Sequence, residues 1–349
     1  MRIAITGATG NVGTSLIQSL ENESAVESIR AIARRRPAVA MPKVEWVAAD
    51  VARDDLAALF DGVDAVVHLA WLIQPERDLA LLTVTNVHGS QRTFEAVAQA
   101  RVPVLVYASS VGAYSPGPKD RCVDERWPTG GIQSAIYSRQ KAAVEALLDA
   151  FERRHANVRV VRMRPALIFK RASGSEQRRL FLGPLFPAAL ARPGRIPVVP
   201  IHPRFRFQAV HSLDVGEAYR LALVRQVSGA FNLAADPILD GHRLARLLHA
   251  RRIPVTPRVL HVAAAIAWRL HLTPASAGWI DMAFGAPLMA IGRARRELGW
   301  EARHSAEDAI LEVLRGMADH AGLNTPPLKP STWLGRTRRA ATGEGHPTT

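Results

Sequence analysis

The chain has 349 residues, 48% of them hydrophobic, enough to bury a sizeable core as one large domain or two. Its single cysteine, Cys122, excludes an intrachain disulfide and a cysteine-based metal cluster, so a reducing, cytoplasmic setting is expected. The formal charge of +14 comes from scattered arginines, with lysine only at 43, 119, 141, 170 and 329; this is not the aromatic-interleaved footprint of a nucleic-acid binder, and no such partner is expected.

Met1 leads directly into an apolar run, so no targeting leader is expected. That first strand, Arg2–Thr6, turns into a helix carrying Leu16, Ile17 and Leu20 through Thr6-Gly7-Ala8-Thr9-Gly10-Asn11-Val12-Gly13. Gly7 permits the tight turn, Gly10 lets a ligand approach the backbone, and Gly13 lets helix and strand pack closely. The helix start offers unpaired N–H groups and a positive dipole end to a pyrophosphate. Further strands are expected at Ser28–Ala33, Val44–Ala48, Ala65–Leu69, Val104–Ala108, Val158–Met163 and Gly229–Leu233, with amphipathic stretches such as Asp54–Phe60 and Gly89–Ala100 between them. The alternation predicts an α/β fold with a parallel, doubly wound sheet. Ligands of such sheets sit at the carboxyl ends of the strands, where the glycine turn lies.

Tyr107-Ala108-Ser109-Ser110 closes one of these strands, and a hydroxyl there can orient a substrate carbonyl or alcohol; Ser110 is favoured over Ser109. Downstream, Tyr137-Ser138-Arg139-Gln140-Lys141 places a phenol and an ammonium one helical turn apart on a single face. Val144, Leu148 and Phe151 continue that stripe, so Lys141 stands where a packed side chain belongs, and an ammonium buried without a task is costly. A tyrosine titrates near ~10, too high for ready proton exchange at neutral pH. A nearby ammonium and an oxidised nicotinamide are expected to lower it toward the working range.

After Arg164-Pro165 the pattern changes. Phe169–Pro203 is rich in proline, glycine and arginine and is expected to form an irregular cap, not regular strands. Asp214 is expected to cap a helix. Trp268, Trp279, Phe284 and Trp300 are expected to be packing residues. Val259–Trp268 is too short to span a membrane; it is expected to be buried in the substrate region, with contact to a membrane surface as the alternative, and no stable membrane insertion is expected. Asn324–Thr349 lacks periodicity and is expected to be disordered.

These motifs together make the chain resemble the extended short-chain dehydrogenase/reductase family, the NAD-dependent epimerase/dehydratase group. The resemblance covers about residues 1–320 and rests on TGATGNVG (6–13), AAD (48–50), HLA (68–70), NVHGS (86–90), YASSVGAY (107–114), YSRQK (137–141), RPALIF (164–169) and ARRELGW (294–300), in that order. It implies a Rossmann-type sheet of about seven strands formed by 1–165 and 207–235. A smaller interwoven substrate-binding region would come from 166–206 and 236–323. It further implies that Gly7, Gly10, Asn11, Val12 and Gly13 line the pyrophosphate, that Asp50 and Val51 meet the adenine, and that Ala70 approaches the ribose. Asn86 would play a secondary part in the helix leading to the site, and Pro165 to Ile168 would run beside the nicotinamide. Ser110, Tyr137 and Lys141 would be the catalytic triad, with Lys141 also binding ribose.

Three departures narrow the expectation. Arg34-Arg35-Arg36 follow the second strand where an acidic residue would hold the ribose of NAD, so NADP is preferred as cofactor and NAD is the alternative. Val111-Gly112 replace the Asp-Glu pair of sugar dehydratases. Arg164 to Phe169 lack the asparagine-bearing segment of nucleotide-sugar epimerases, which favours an oxidoreductase of a less polar alcohol or ketone, with Arg204 or Arg206 left to hold an anionic group. Sugar epimerisation is the alternative activity, and a non-catalytic cofactor sensor is a rival. The expected partners are a small-molecule substrate and a second copy meeting it through the Tyr-bearing helix.

Overall fold

The computed structural model describes residues 1–183 and 186–330. Its central sheet has seven parallel strands in the order Gly229–Leu233, Arg159–Pro165, Val104–Ala108, Ala65–His68, Arg2–Thr6, Ser28–Ala33, Val44–Ala48. All seven strands expected from the sequence are present. Side chains alternate across the sheet in register: Ile5, Val67, Val106 and Val161 face one helical layer, Ala4, Val66, Leu105 and Val160 the other. Burial on both faces is why these strands read as unbroken aliphatic runs. Helices Asn11–Leu20 and Ser212–Val224 cover the first face with Leu16, Ile17, Val215 and Tyr219. Phe60, Phe94, Leu148 and Phe151 cover the second. Each such side chain withdrawn from water contributes about 1.5–3 kcal/mol.

The strand order reverses between Arg2–Thr6 and Ala65–His68, whose chains leave toward opposite edges. The crevice at that reversal is the usual ligand position of an open α/β sheet. Ala294, Leu298 and Trp300, expected in the substrate region, belong to the core of the central sheet.

Above the carboxyl ends sits a cap with more regular structure than its proline content suggested. Ala235–Asp240, Arg206–His211 and Leu167–Phe169 form a three-stranded sheet covered by the helix Ala306–Ala318. Val198–Ile201 is a strand after all, paired in parallel with Arg251–Pro254. Asp214 is not the helix cap: His211 accepts the Leu213 N–H, and Asp214 in the first turn accepts that of His304. Residues 324–330, expected to be disordered, include a helical turn at Pro326–Leu328 with Leu328 fully buried. The rest of that expectation, 331–349, lies outside the described residues.

Candidate active site

The cleft begins at the turn after the first strand. Gly7 adopts φ +71, and a Cβ there would lie 2.6 Å from the Ala70 nitrogen, so the loops after the first and fourth strands touch backbone to backbone. A Cβ on Gly13 would strike Ala8, whereas one on Gly10 would meet nothing closer than the Gly7 carbonyl at 3.4 Å. The helix Asn11–Leu20 starts without a side-chain cap and without an acidic residue in its first turn. Val12, half-buried, follows Asn11 in that first turn. The Asn11 amide donates to the Ile168 carbonyl at 3.2 Å, leaving its own Oδ1 buried and without a partner. Lys170 clamps the same turn through the Asn11 carbonyl (2.9 Å), Thr14 (2.7 Å) and Ser15 (2.9 Å), and burial brings its ammonium down to about 8. An uncapped positive helix end and a bare Gly10 fit a dinucleotide phosphate group, whereas the Asn11 Oδ1 is an acceptor and calls for a donor instead.

The other expected cofactor contacts surround this turn. Ala8 donates to the Ile32 carbonyl, which anchors the glycine loop two residues before Arg34. Arg34 is exposed, and Arg35 is half-buried with its guanidinium lowered by burial and then by Arg34. Asp50 organises the turn after the third strand, accepting the Ala52 N–H at 2.9 Å, and Val51 is buried against Gly89. Asn86 is fully buried within the π-turn Val84–His88; it grips both backbone groups of Leu72 and donates to Gln140 on the Tyr-bearing helix at 2.8 Å. Pro165 ends its strand, and the next residue bonds to Leu233.

Tyr137, Lys141 and Ser110 meet at the centre. The helix Ile136–Arg154 carries the first two, and Ser110 lies near enough to the Tyr137 phenol to pull its titration down while accepting the Gly112 N–H at 3.0 Å. A Cβ on Gly112 would lie 2.8 Å from the Tyr137 ring, so that position admits only glycine without a shift. The Lys141 ammonium is buried, donates to the Ala108 carbonyl at 2.6 Å and lies 5.9 Å from the Tyr137 ring centre. Burial pushes the Tyr137 phenol up to about 12 against the pull of Ser110, the reverse of the expected shift. Burial likewise drives Lys141 well below the usual lysine range, opposed by Glu145. Desolvation therefore outweighs the help that Ser110 gives the phenolate.

Sequence reasoning missed the walls of this site. Trp71 lies over the Lys141 ammonium at 3.5 Å, edge-on to Tyr137, with its indole nitrogen buried and unpartnered. Trp279, expected only to pack, stands 5.1 Å from Tyr137 and is met edge-on by Phe181. Glu76 holds Trp279 through the indole N–H (2.5 Å) and also takes the Ser276 N–H; Gln74 donates to the carbonyls of Leu180 and Pro274. The loop after the fourth strand thus ties the cap onto the site. Beneath it, fully buried Glu145 accepts from Ser109, Arg162 and Arg164. Burial alone would raise Glu145, but Arg164, Arg162 and Ser109 hold it to about 2. Its place four residues beyond Lys141 was the available signal. His68 is structural: it lies between Thr6 and Ser90, and burial keeps it neutral at about 3. No group of three or more potential metal ligands occurs among the described residues.

Comparison with known proteins matches residues 3–234 to the model of the NAD dependent epimerase/dehydratase family. An uncharacterised protein of Mycobacterium tuberculosis is 26% identical over 93% of this chain, which spans only 31% of that relative's length. The 3-beta-hydroxysteroid dehydrogenase of Mycolicibacterium neoaurum is 25% identical, with 90% of each chain covered. Among solved structures, the UDP-glucuronic acid 4-epimerase of Bacillus cereus in complex with NAD superposes with a TM-score of 0.66 at 16% identity, covering 91% of this chain and 99% of its own.

Proposed function

The chain belongs to the NAD dependent epimerase/dehydratase family, and we propose that within it this protein is an oxidoreductase that interconverts an apolar secondary alcohol and its ketone. The bound dinucleotide supplies the hydride acceptor or donor. Gly7, Gly10, Asn11, Val12 and Gly13 would hold its phosphates, Asp50, Val51 and Ala70 its adenosine end, and Lys141 with Ile168 its nicotinamide half. Tyr137 exchanges the proton of the substrate oxygen while Ser110 orients that oxygen. Arg34 and Arg35, with no carboxylate in that turn, support NADP over NAD.

The observation that carries the substrate class is the wall around Tyr137: Trp71, Trp279 and Phe181, all aromatic. The cap's nearby cations are engaged elsewhere. Lys119 and Arg204 bond to the last carbonyls of the helix Gly278–Gly285, and Arg206 to the Lys119 carbonyl, so Arg204 and Arg206 are poorly placed for an anionic group. The likeness to a hydroxysteroid dehydrogenase over 90% of both chains points the same way.

The test is a panel of hydroxysteroids, long-chain secondary alcohols and UDP-sugars, followed by absorbance of the reduced nicotinamide. We expect stoichiometric reduction of added cofactor with an apolar alcohol, lost in Tyr137→Phe. Inversion of a UDP-sugar without net cofactor turnover overturns the proposal in favour of epimerisation.

A further inference from the structure

The helix Pro257–Arg269 was expected to be buried, yet none of its residues is. Val259 is 59% exposed, Val262 55%, Ile266 52% and Leu270, just past the helix, 64%. At about 100° per residue these four fall within an arc of roughly 80°, a continuous apolar stripe facing away from the protein. The opposite side is what holds the helix to the cap: His261 bonds to Asp281 at 2.8 Å, and Arg77 stacks on Trp268. Leu272 and Ile253 add exposed apolar surface on neighbouring segments.

The charge within this segment of the chain is of one sign, and the carboxylate that meets the helix, Asp281, does so on the side opposite the stripe. Between Asp240 and Asp281 the sequence has six arginines and no acidic residue or lysine. Arg258 and Arg269 project on the same flank of the stripe, within about 20° of one another by helical geometry. Arg251 and Arg252 stand exposed on the adjoining strand. An apolar stripe edged by arginine suits a surface that offers hydrocarbon in the middle and anions at the margin. A second copy of this chain does not: a two-fold contact through the stripe would bring arginine against arginine. No helix among the described residues is long and apolar enough to cross a membrane.

We propose that the helix Pro257–Arg269 lies in the headgroup region of an anionic lipid bilayer, with Val259, Val262, Ile266 and Leu270 inserted and Arg258 and Arg269 on lipid phosphates. This rests on the surface alone and stands whatever reaction the cleft performs. The experiment is sedimentation of the full chain with vesicles of equimolar phosphatidylcholine and phosphatidylglycerol, against vesicles of phosphatidylcholine only. Wild type should pellet with the anionic vesicles and much less with the neutral ones. The pair Val262→Glu and Ile266→Glu should lower vesicle affinity by at least about tenfold, and Arg258→Ser with Arg269→Ser by a smaller factor that shrinks further in high salt. All four positions are exposed, and unchanged circular dichroism and thermal midpoint confirm that the variants fold. The proposal is overturned if wild type stays in the supernatant, or if the glutamate pair pellets as well as wild type. It is equally overturned if light scattering shows a dimer that the glutamate pair dissociates while vesicles bind neither form, or if only a chain lacking 331–349 binds vesicles.

Discussion

The dinucleotide cradle and the cap are built on different principles. The cradle is backbone architecture: parallel strands in register, a glycine turn pressed on the Ala70 backbone, and an uncapped helix end. The ligand contacts proposed for it follow from chain direction and the absence of side chains. The cap is side-chain architecture. Gln74 and Glu76 reach across to residues some 200 positions later and hold Trp279 against Tyr137. A scaffold of the first kind serves many reactions, whereas the second kind selects what is reacted upon. Changes in the cradle should therefore alter stability and cofactor affinity, and changes in the cap should alter substrate selection.

Glu145 offers the harshest test of that division. It is fully buried, and its two oxygens bind Arg162 and Arg164 beneath the Tyr-bearing helix. Glu145→Gln leaves the Arg164 guanidinium short of charge in a buried place and should cost about 3–5 kcal/mol of unfolding free energy, read by denaturant titration. The wild-type pH profile carries the same signature. Because Glu145 is held to about 2 in the folded chain against 4.5 unfolded, the unfolded chain binds more protons between those values. Its contribution is complete above about 4.5 and fades as pH falls toward 2; an acid limb unchanged in the variant would remove Glu145 from the ledger. Trp279→Ala is the counterpart in the cap. Losing a large aromatic wall should raise KM for an apolar substrate by roughly 10–100-fold with cofactor affinity unaltered. A matching loss of cofactor affinity would erase the distinction between the two regions.

The same contrast explains what the amino-acid order reveals. Strands buried on both faces announce themselves locally, as Ala65 to Val67 and Val104 to Val106 do, because every neighbour must be apolar. Tyr137 and Lys141 were legible for a related reason, since helical spacing is a local property. Glu145 lies one turn beyond Lys141 on the same face, yet nothing local names its partners until strand Arg159–Pro165 brings two guanidinium groups beneath it. Trp71 and Trp279 are remote in sequence and meet only through Tyr137. Val198–Ile201, broken by Pro200, looks like a loop because its partner, Arg251–Pro254, is wholly exposed and equally unlike a strand. Pairing supplied what propensity withheld.

Lys119 sharpens the comparison from the cap side. It is buried against the carbonyls of Arg206 and Ala283, and burial, then Arg204 and Arg206, bring its ammonium down to about 7 from 10.5. The unfolded chain therefore binds more protons between those values, so stability should rise with pH from about 7 toward 10.5, by at most about 1.4 kcal/mol per pH unit. Lys119→Met should flatten that alkaline limb and leave the acid limb of Glu145 intact. If both limbs moved together, cap and cradle would be one electrostatic unit.

Arg34 is where the cradle leaves the backbone rule, and its effect is the smallest. An exposed guanidinium at the end of the second strand contributes little to stability. Its reach matters only for a phosphate on the adenosine ribose, which Arg35, half-buried beside it, would share. Arg34→Ala should weaken NADP binding by about five- to tenfold and leave NAD binding unchanged, as measured by cofactor fluorescence titration. Equal affinities in wild type and variant would assign the run Arg34-Arg35-Arg36 to a solvated turn. The cradle would then be cofactor-neutral at that edge, and selectivity in this protein would belong to the cap alone.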